Sequence, residues 1–224
     1  MYPEYVPVWR QNPRTIMKNI PRQGLWYGAD ADTIFPNQRM REEQTMNLDE
    51  NKQLWRKAVA FHGHECGGLT IGYKASLYAM ELLGMTFSAD EQIVCITEND
   101  ACGVDAIQAL LGCSVGKGNL LFHMTGKSAY NFYNRNTGKS VRLVLNPRPE
   151  GLARGESFGY YQAMDPREMF TVKETRIRLP EPARIFYSYR CDCCGEEAGA
   201  NWIRLAGDQK LCLDCYEQYD RFHV

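Results

Sequence analysis

The chain has 224 residues, of which 44% are hydrophobic and 24% charged, and its formal net charge at pH 7 is −1. This composition is typical of a globular protein, and the length accommodates one main domain and a smaller second unit. The near-zero charge excludes a nucleic-acid binder that relies on bulk positive charge, and the 12% of aromatic residues argues against a disordered chain.

We expect neither a targeting segment nor a membrane segment. The apolar runs are far shorter than the roughly 18–20 residues that a membrane-spanning helix needs. The first ten residues lack the basic and then apolar layout of a signal peptide. The nine cysteines are an odd number, which argues against a secreted disulfide scaffold. We therefore expect a protein of the reducing cytoplasm whose cysteines bind metal or carry out chemistry.

Residues 1–46 are predicted to form an N-terminal extension. Five prolines interrupt regular structure there. Its aromatic residues predict an ordered arm that packs on its own core or on a partner subunit. Residues 47–182 are predicted to form the core, and residues 183–224 a C-terminal zinc-finger domain.

The core is predicted to begin with two helices. Asn47 is placed to cap the first helix, with Glu50 three residues later, and apolar residues then recur at helical spacing as far as Phe61. The second helix is predicted from about residue 68 to Leu83. Gly84, the next residue, takes the C′ position.

Strands follow these helices. The pattern predicts a buried strand over 92–98, a helix over 101–111, a strand over 119–124, and a hairpin of 130–135 with 140–145. A short helix over 165–172 is expected to have Pro166 in its first turn. This order predicts an α+β fold with helices against a mainly antiparallel sheet.

Four cysteines near the C-terminus form two C-x2-C pairs with 17 residues between them: Cys191, Cys194, Cys212 and Cys215. This spacing is typical of zinc sites, because each pair supplies two thiolates and a hairpin brings the pairs together. A unit of only about 40 residues has too small a core to fold alone, so the metal would supply its folding energy. We predict a structural four-cysteine zinc site in a ribbon-like domain.

The charge of this tail favours a structural or protein-docking role. Residues 183–224 contain five Lys or Arg and seven Asp or Glu, and four thiolates add further negative charge. Contact with duplex phosphates is disfavoured, so nucleic acid is not an expected partner.

A second cluster lies between the two predicted helices, where His62, His64 and Cys66 alternate with other residues. In an extended turn such residues point the same way, and imidazole and thiolate together suit Zn, Fe, Ni or Cu. Cys66 at a helix start is expected to have a lowered thiol pKa, whether as ligand or as nucleophile. The alternative is that the histidines satisfy buried groups while Cys66 belongs to the core.

Cys102 is a second cysteine at a predicted helix start, and we expect its pKa to be lowered in the same way. Asp105 and Gln108 lie on the same helix, where they could orient ligands from behind. Lys117 and Lys127 could offer positive charge to a small anionic ligand, although the loop around Lys117 lacks the Walker pattern. For each lysine the alternative is an ordinary surface position.

Several motifs in one order resemble the FmdE family, whose members are related to the FmdE component of formylmethanofuran dehydrogenase. The resemblance rests on residues 61–72 (FHGHECGGLTIG), 102–108 (CGVDAIQ) and 112–119 (GCSVGKGN). Further matching residues are Gly126, Lys127, Phe132, Arg135, Thr137, Gly138, Lys139 and Arg142. The C-terminal cysteine pairs resemble the zinc-binding tail of many members.

The resemblance covers about residues 50–145 and 188–216, and Gly67 and Gly103 stand where the family commonly has proline. It implies an α+β core, often an intertwined homodimer, in a soluble protein of anaerobic metabolism. The implied site residues are His62, His64, Cys66 and Cys102.

Three functions stay open at this point, and so does the question whether the chain is an enzyme. The first is a metal-binding accessory protein or subunit in redox or one-carbon metabolism, with Zn, Fe or Ni in the core and a redox enzyme or other protein as partner. In it, Cys102 is a further ligand or a reactive thiol. The second is an enzyme with Cys66 or Cys102 as nucleophile. The third is a zinc-finger protein that docks or regulates.

Overall fold

A computed structural model describes residues 48–221, except for the side chains of Leu48, Asp49 and Arg154. The predicted N-terminal arm and the Asn47 cap lie outside the described residues. The elements of the core, in chain order, are α1 (Leu48–His62), α2 (Gly67–Leu83), β1 (Ile93–Thr97), α3 (Gly103–Leu111), β2 (Leu120–Phe122), β3 (Ala129–Asn134), β4 (Ser140–Leu145), α4 (Ser157–Ala163), α5 (Pro166–Met169) and β5 (Phe170–Lys173).

The core strands form one sheet in the order β2-β1-β3-β4-β5. The β1–β2 pair is parallel, because α3 carries the chain back between them, and the other pairs are antiparallel. The prediction of an α+β fold with a mainly antiparallel sheet is confirmed. Strands β1 and β3 are buried on both faces, which explains why β1 reads as a continuous apolar run.

One face of the sheet carries the main hydrophobic core. Apolar side chains of α2 and α3 pack there against β1, β3 and β4, including Ala75, Leu83, Ile107, Leu111, Phe132 and Leu143. On the other face, Val94, Ile96 and Tyr133 pack with Ile177 and Leu179. The Tyr133 hydroxyl donates to the Ile177 carbonyl at 2.6 Å, so the segment after β5 covers this second face.

The region around residue 165 differs from the prediction. The expected helix over 165–172 ends at Met169, because Thr171 and Val172 pair with β4 as part of β5. Both residues are β-branched and fit a strand better than a helix. Helix α4 directly precedes this region and was not predicted.

The C-terminal part consists of two small hairpins, β6 (Ser188–Arg190) with β7 (Glu197–Gly199) and β8 (Ile203–Ala206) with β9 (Gln209–Cys212). The proposed domain boundaries at residues 46 and 182 stay a prediction. No helix within residues 48–221 has both the length and the apolar character needed to cross a membrane.

Candidate metal and thiol site

Two glycines let helices α2 and α3 touch backbone to backbone. A Cβ atom on Gly72 would lie 1.9 Å from the Gly103 carbonyl oxygen, and one on Gly103 would lie 2.5 Å from the Tyr130 hydroxyl. No side chain larger than hydrogen fits at either position without displacing its neighbours. This close crossing brings the starts of the two helices, with Cys66 and Cys102, to the same place.

Cys66 is the N-cap residue of α2. Its backbone is extended, and its sulfur accepts the Leu69 N–H at 3.2 Å. The Thr70 hydroxyl donates to the Cys66 carbonyl at 3.0 Å. The sulfur therefore takes the place of a capping oxygen, where backbone N–H groups favour negative charge.

His62 ends α1, and Gly63 then turns the chain with a φ of +93°. The His62 Nε2 atom lies 3.7 Å from the Cys66 sulfur, and the His62 and His64 rings are 4.5 Å apart. Ligand atoms of His62, His64 and Cys66 all lie within 4.8 Å of one another. The predicted alternation of these residues thus places them around one point that could hold a metal ion.

Asp105 and Gln108 stand behind His62. The Nδ1 atom of His62 lies 2.7 Å from Asp105 Oδ2, and Gln108 donates to Asp105 Oδ1 at 3.2 Å. Because the carboxylate accepts a hydrogen bond from the Nδ1–H group, the Nε2 lone pair is left facing Cys66. This is how proteins commonly orient a histidine that ligates metal.

Cys102 lies beside Cys66 but outside the set of three ligands. A Cβ atom on Gly68 would be 3.1 Å from Cys102 Cβ and 3.9 Å from the Cys66 sulfur. The pKa of Cys102 is raised, first by burial and then by the neighbouring Cys66. The expectation of a lowered pKa at Cys102 is therefore wrong. Its backbone is already helical, and its side chain makes no capping bond to the N–H groups of α3.

The two lysines have different surroundings. Lys117 lies in the loop after the C-terminal end of α3, whereas the His/Cys cluster lies near the start of α3. The Lys117 ammonium donates to the Ser88 carbonyl at 3.0 Å. Lys127 lines a cleft of about 570 Å³ that also contacts Gly67 and Gly68. Arg148 lines the same cleft, and no sequence motif pointed to it.

The four tail cysteines converge as their spacing predicts. Their sulfurs all lie within 4.8 Å of one another, and Cys191 is buried. The Gly195 N–H donates to the Cys191 carbonyl at 2.9 Å, and Tyr216 N–H donates to Cys212 in the same way. Each C-x2-C pair therefore forms a tight turn, and the turn at Gly195 uses a φ of +77°.

The electrostatics of this cluster favour a cation. Backbone N–H groups, the Cys212 N–H first, lower the pKa of Cys191 to about 6. The nearby Cys212 side chain raises the pKa of Cys215, because crowded sulfurs resist losing their protons together. A bound metal ion removes this conflict by neutralising the thiolates, so the chemistry of the donor set fits a metal.

Comparison with known proteins identifies the family of this chain. The family model described as "FmdE, Molybdenum formylmethanofuran dehydrogenase operon" matches residues 61–178, more than half of the sequence. The chain belongs to the FmdE family. The resemblance inferred from the motifs is confirmed.

Two individual proteins are also similar to this chain. A protein from Archaeoglobus fulgidus described as "Probable S-adenosyl-L-methionine-binding protein" is 30% identical in an alignment 199 residues long, and the match covers 75% of this chain and 53% of that protein. The chain thus spans about half the length of this curated relative. A tungsten formylmethanofuran dehydrogenase FmdE-like protein from Syntrophus aciditrophicus has the same fold, with a TM-score of 0.57 and 24% identity, over 73% of this chain and 90% of that one.

Proposed function

We propose that this FmdE-family chain is a metal-binding accessory protein or subunit in redox or one-carbon metabolism related to formylmethanofuran dehydrogenase. The observation that carries the proposal is the convergence of His62, His64 and Cys66, with Asp105 behind His62. Two imidazoles and one thiolate suit Zn, Fe or Ni, and three protein ligands leave a position open for a substrate or a fourth ligand. Cys102 is the nearest further thiol.

The tail is proposed to hold a structural zinc ion. The two hairpins are small and mostly exposed, so their own core contributes little stability. Closed four-thiolate coordination leaves no open position for chemistry. In this proposal the tail metal stabilises the fold and the core metal serves the function.

Metal stoichiometry after anaerobic purification tests both sites. We expect two metal ions per chain in the wild type and one in the His64→Ala/Cys66→Ala variant. The matched control is His123→Ala/Cys193→Ala, because both of these residues are exposed and outside the clusters. One metal ion in the wild type would contradict the core site and favour a thiol enzyme that uses Cys66 or Cys102.

A protein partner is proposed for the tail, either a second copy of this chain or a redox enzyme. Large apolar side chains are highly exposed there, among them Ile185, Tyr187, Trp202, Leu205 and Tyr219. Such exposure is typical of interaction surfaces. We expect a homodimer in light scattering, dissociated by Tyr187→Ser/Leu205→Ser but not by the control Val115→Ser. A monomeric wild type would contradict the homodimer and leave the redox enzyme as the proposed partner. The cytoplasm is the proposed location, because it keeps thiol ligands reduced.

Binding of S-adenosyl-L-methionine is a second candidate function. It is supported by the description of the Archaeoglobus relative and by the cleft of about 570 Å³ beside Gly67 and Gly68. Isothermal titration with S-adenosyl-L-methionine tests it directly. A Gly67→Val variant, whose side chain would meet Ser157, is expected to lose any such binding.

A further inference from the structure

The cleft beside the helix crossing has charges of one sign. Lys127 and Arg148 both line it, and no Asp or Glu is among its described lining residues. Within residues 48–221 the Lys127 ammonium makes no hydrogen bond and no ion pair. A cleft lined by a single sign of charge concentrates ligands of the opposite sign.

The start of α2 adds backbone donors to these cations. Gly67 and Gly68 are the first two residues of α2, so their N–H groups have no acceptor within the helix. Both residues line the cleft, and neither carries a side chain that would cover its backbone. Donors of this kind bind carboxylate or phosphate oxygens.

The loop that carries Lys127 is held in place by buried polar groups. The Asn99 side chain donates to the Lys127 carbonyl at 2.9 Å, and the Gly126 N–H donates to the Glu98 carbonyl at 3.0 Å. Glu98 and Asn99 are themselves buried. The backbone of Lys127 is therefore held against the end of β1, which reduces the loop entropy lost when a ligand binds.

The cleft also has an apolar side and lies next to the candidate site. Ile71, Val144 and Leu145 line it on one side. Gly68 lines the cleft and is also close to the sulfurs, since a Cβ atom there would be 3.5 Å from the Cys102 sulfur and 3.9 Å from the Cys66 sulfur. Neither cysteine is among the lining residues, so the cleft adjoins the two sulfurs through Gly68.

We propose that the cleft binds a small organic anion, with its carboxylate or phosphate between Lys127, Arg148 and the first N–H groups of α2, and presents the rest of the molecule to the His/Cys site. This inference rests on the proposed function, since it names the substrate class of that same site. The two positive charges select the anion, and the apolar side accommodates a short carbon skeleton.

Alkylation with two reagents of different charge tests the proposal. The full-length chain, as purified and with its metal content unchanged, is treated with iodoacetate or with iodoacetamide, and mass spectrometry gives the rate at each cysteine. Both reagents consume the thiolate and release iodide, so a change in thiol pKa cancels in the ratio of the two rates. The exposed Cys193 serves as the internal reference.

We expect the iodoacetate-to-iodoacetamide ratio at Cys66 and Cys102 to fall about tenfold in Lys127→Met/Arg148→Gln, because the local anion concentration drops. The matched control is Lys139→Met/Arg178→Gln, which removes two cations from a separate cleft of about 390 Å³. An equal ratio in wild type and Lys127→Met/Arg148→Gln would overturn the proposal.

A second measurement covers the case in which neither sulfur reacts. Inorganic phosphate is titrated into the chain and followed by phosphorus NMR, with weaker binding expected for Lys127→Met/Arg148→Gln than for the control. Equal binding to both variants overturns the anion site. Metal counts on the same samples test the proposed function separately, because neither Lys127 nor Arg148 is among the candidate metal ligands.

Discussion

The Nδ1 atom of His62 lies 2.7 Å from Oδ2 of Asp105, although 43 positions separate them in the sequence. The contact joins the end of α1 to the first turn of α3. It also determines which ring nitrogen of His62 faces the Cys66 sulfur, at 3.7 Å. One carboxylate thereby orients the candidate ligand His62 from behind.

Removal of this carboxylate is expected to weaken the core metal site. Asp105→Asn should reduce metal affinity there by about 10–100-fold, because the amide no longer holds the Nδ1 proton as firmly. Competition with a chromophoric chelator measures the affinity. Asp90→Asn, at an exposed position, should bind like the wild type. Equal affinities for the two variants would contradict the role of Asp105.

The glycine contact between α2 and α3 is expected to be essential for stability. Gly72→Ala places a methyl group 1.9 Å from a backbone oxygen, so we expect a loss of about 3 kcal/mol or more in the free energy of unfolding. The control is Gly159→Ala in α4, where a Cβ meets nothing within 4 Å.

Urea unfolding of both glycine variants measures the difference. Gly159→Ala should stabilise the protein by about 0.5–1 kcal/mol, because alanine favours a helix over the unfolded chain. A Gly72→Ala variant as stable as Gly159→Ala would show that the two helices can separate freely.

The buried ion pair of Glu98 and Arg142 makes stability depend on pH. Arg142 donates to both carboxylate oxygens, at 2.6 and 2.9 Å, and hydrogen bonds from Arg142 lower the pKa of Glu98 from 4.5 to about 2. A lowered carboxyl pKa contributes stability above the unfolded value. That contribution is lost as the pH falls from about 4.5 to about 2.

Glu98→Gln is expected to cost about 3–5 kcal/mol at pH 7, because the variant leaves Arg142 buried without a counter-ion. The difference from wild type should shrink as the pH is lowered from 4.5 towards 2. Thermal unfolding across this pH range measures it. Glu81→Gln breaks the more exposed pair with Arg167 and should cost less than about 1 kcal/mol. A constant difference between wild type and Glu98→Gln down to pH 2 would contradict the lowered pKa.

Loss of one tail thiolate should unfold the tail and leave the core intact. We expect Cys215→Ser to lose the tail metal and to become sensitive to proteases after about residue 183, because metal binding supplies the folding energy of the hairpins. Limited proteolysis with metal analysis measures both effects. Cys193→Ser, outside the four-sulfur cluster, is the control. Retained metal in Cys215→Ser would contradict four-cysteine coordination.

Features fixed by local chemistry could be predicted from the sequence. Helix α2 ends at Leu83 because Gly84 follows it with a φ of +56°, which favours glycine, and the apolar periodicity predicts the start of the helix to within one residue. His62, His64 and Cys66 are separated by single residues, so a short turn suffices to bring them together. The tail cysteines converge for the same reason.

Features fixed by distant contacts could not be predicted. Strand β5 exists because β4 offers it a pairing edge, and the sequence around residue 170 reads equally well as a helix. Arg148 follows a proline in a segment without periodicity, and its importance comes from a cleft formed by separate parts of the chain. Lys117 is the reverse case, a residue that the sequence suggested and the structure does not support. Its glycine-flanked loop suggested an anion site, yet its ammonium donates to a backbone carbonyl group.

Helix α1 has Ala58 as the one fully buried side chain among its described residues, while Leu54, Trp55 and Val59 are only partly buried. His62 ends this helix and Cys66 is the N-cap of α2, so a metal ion bound by both, as proposed, would tie the end of α1 to the start of α2. Occupancy of the site then becomes visible as slower amide hydrogen exchange along α1, while the exchange of β1 in the middle of the sheet stays the same.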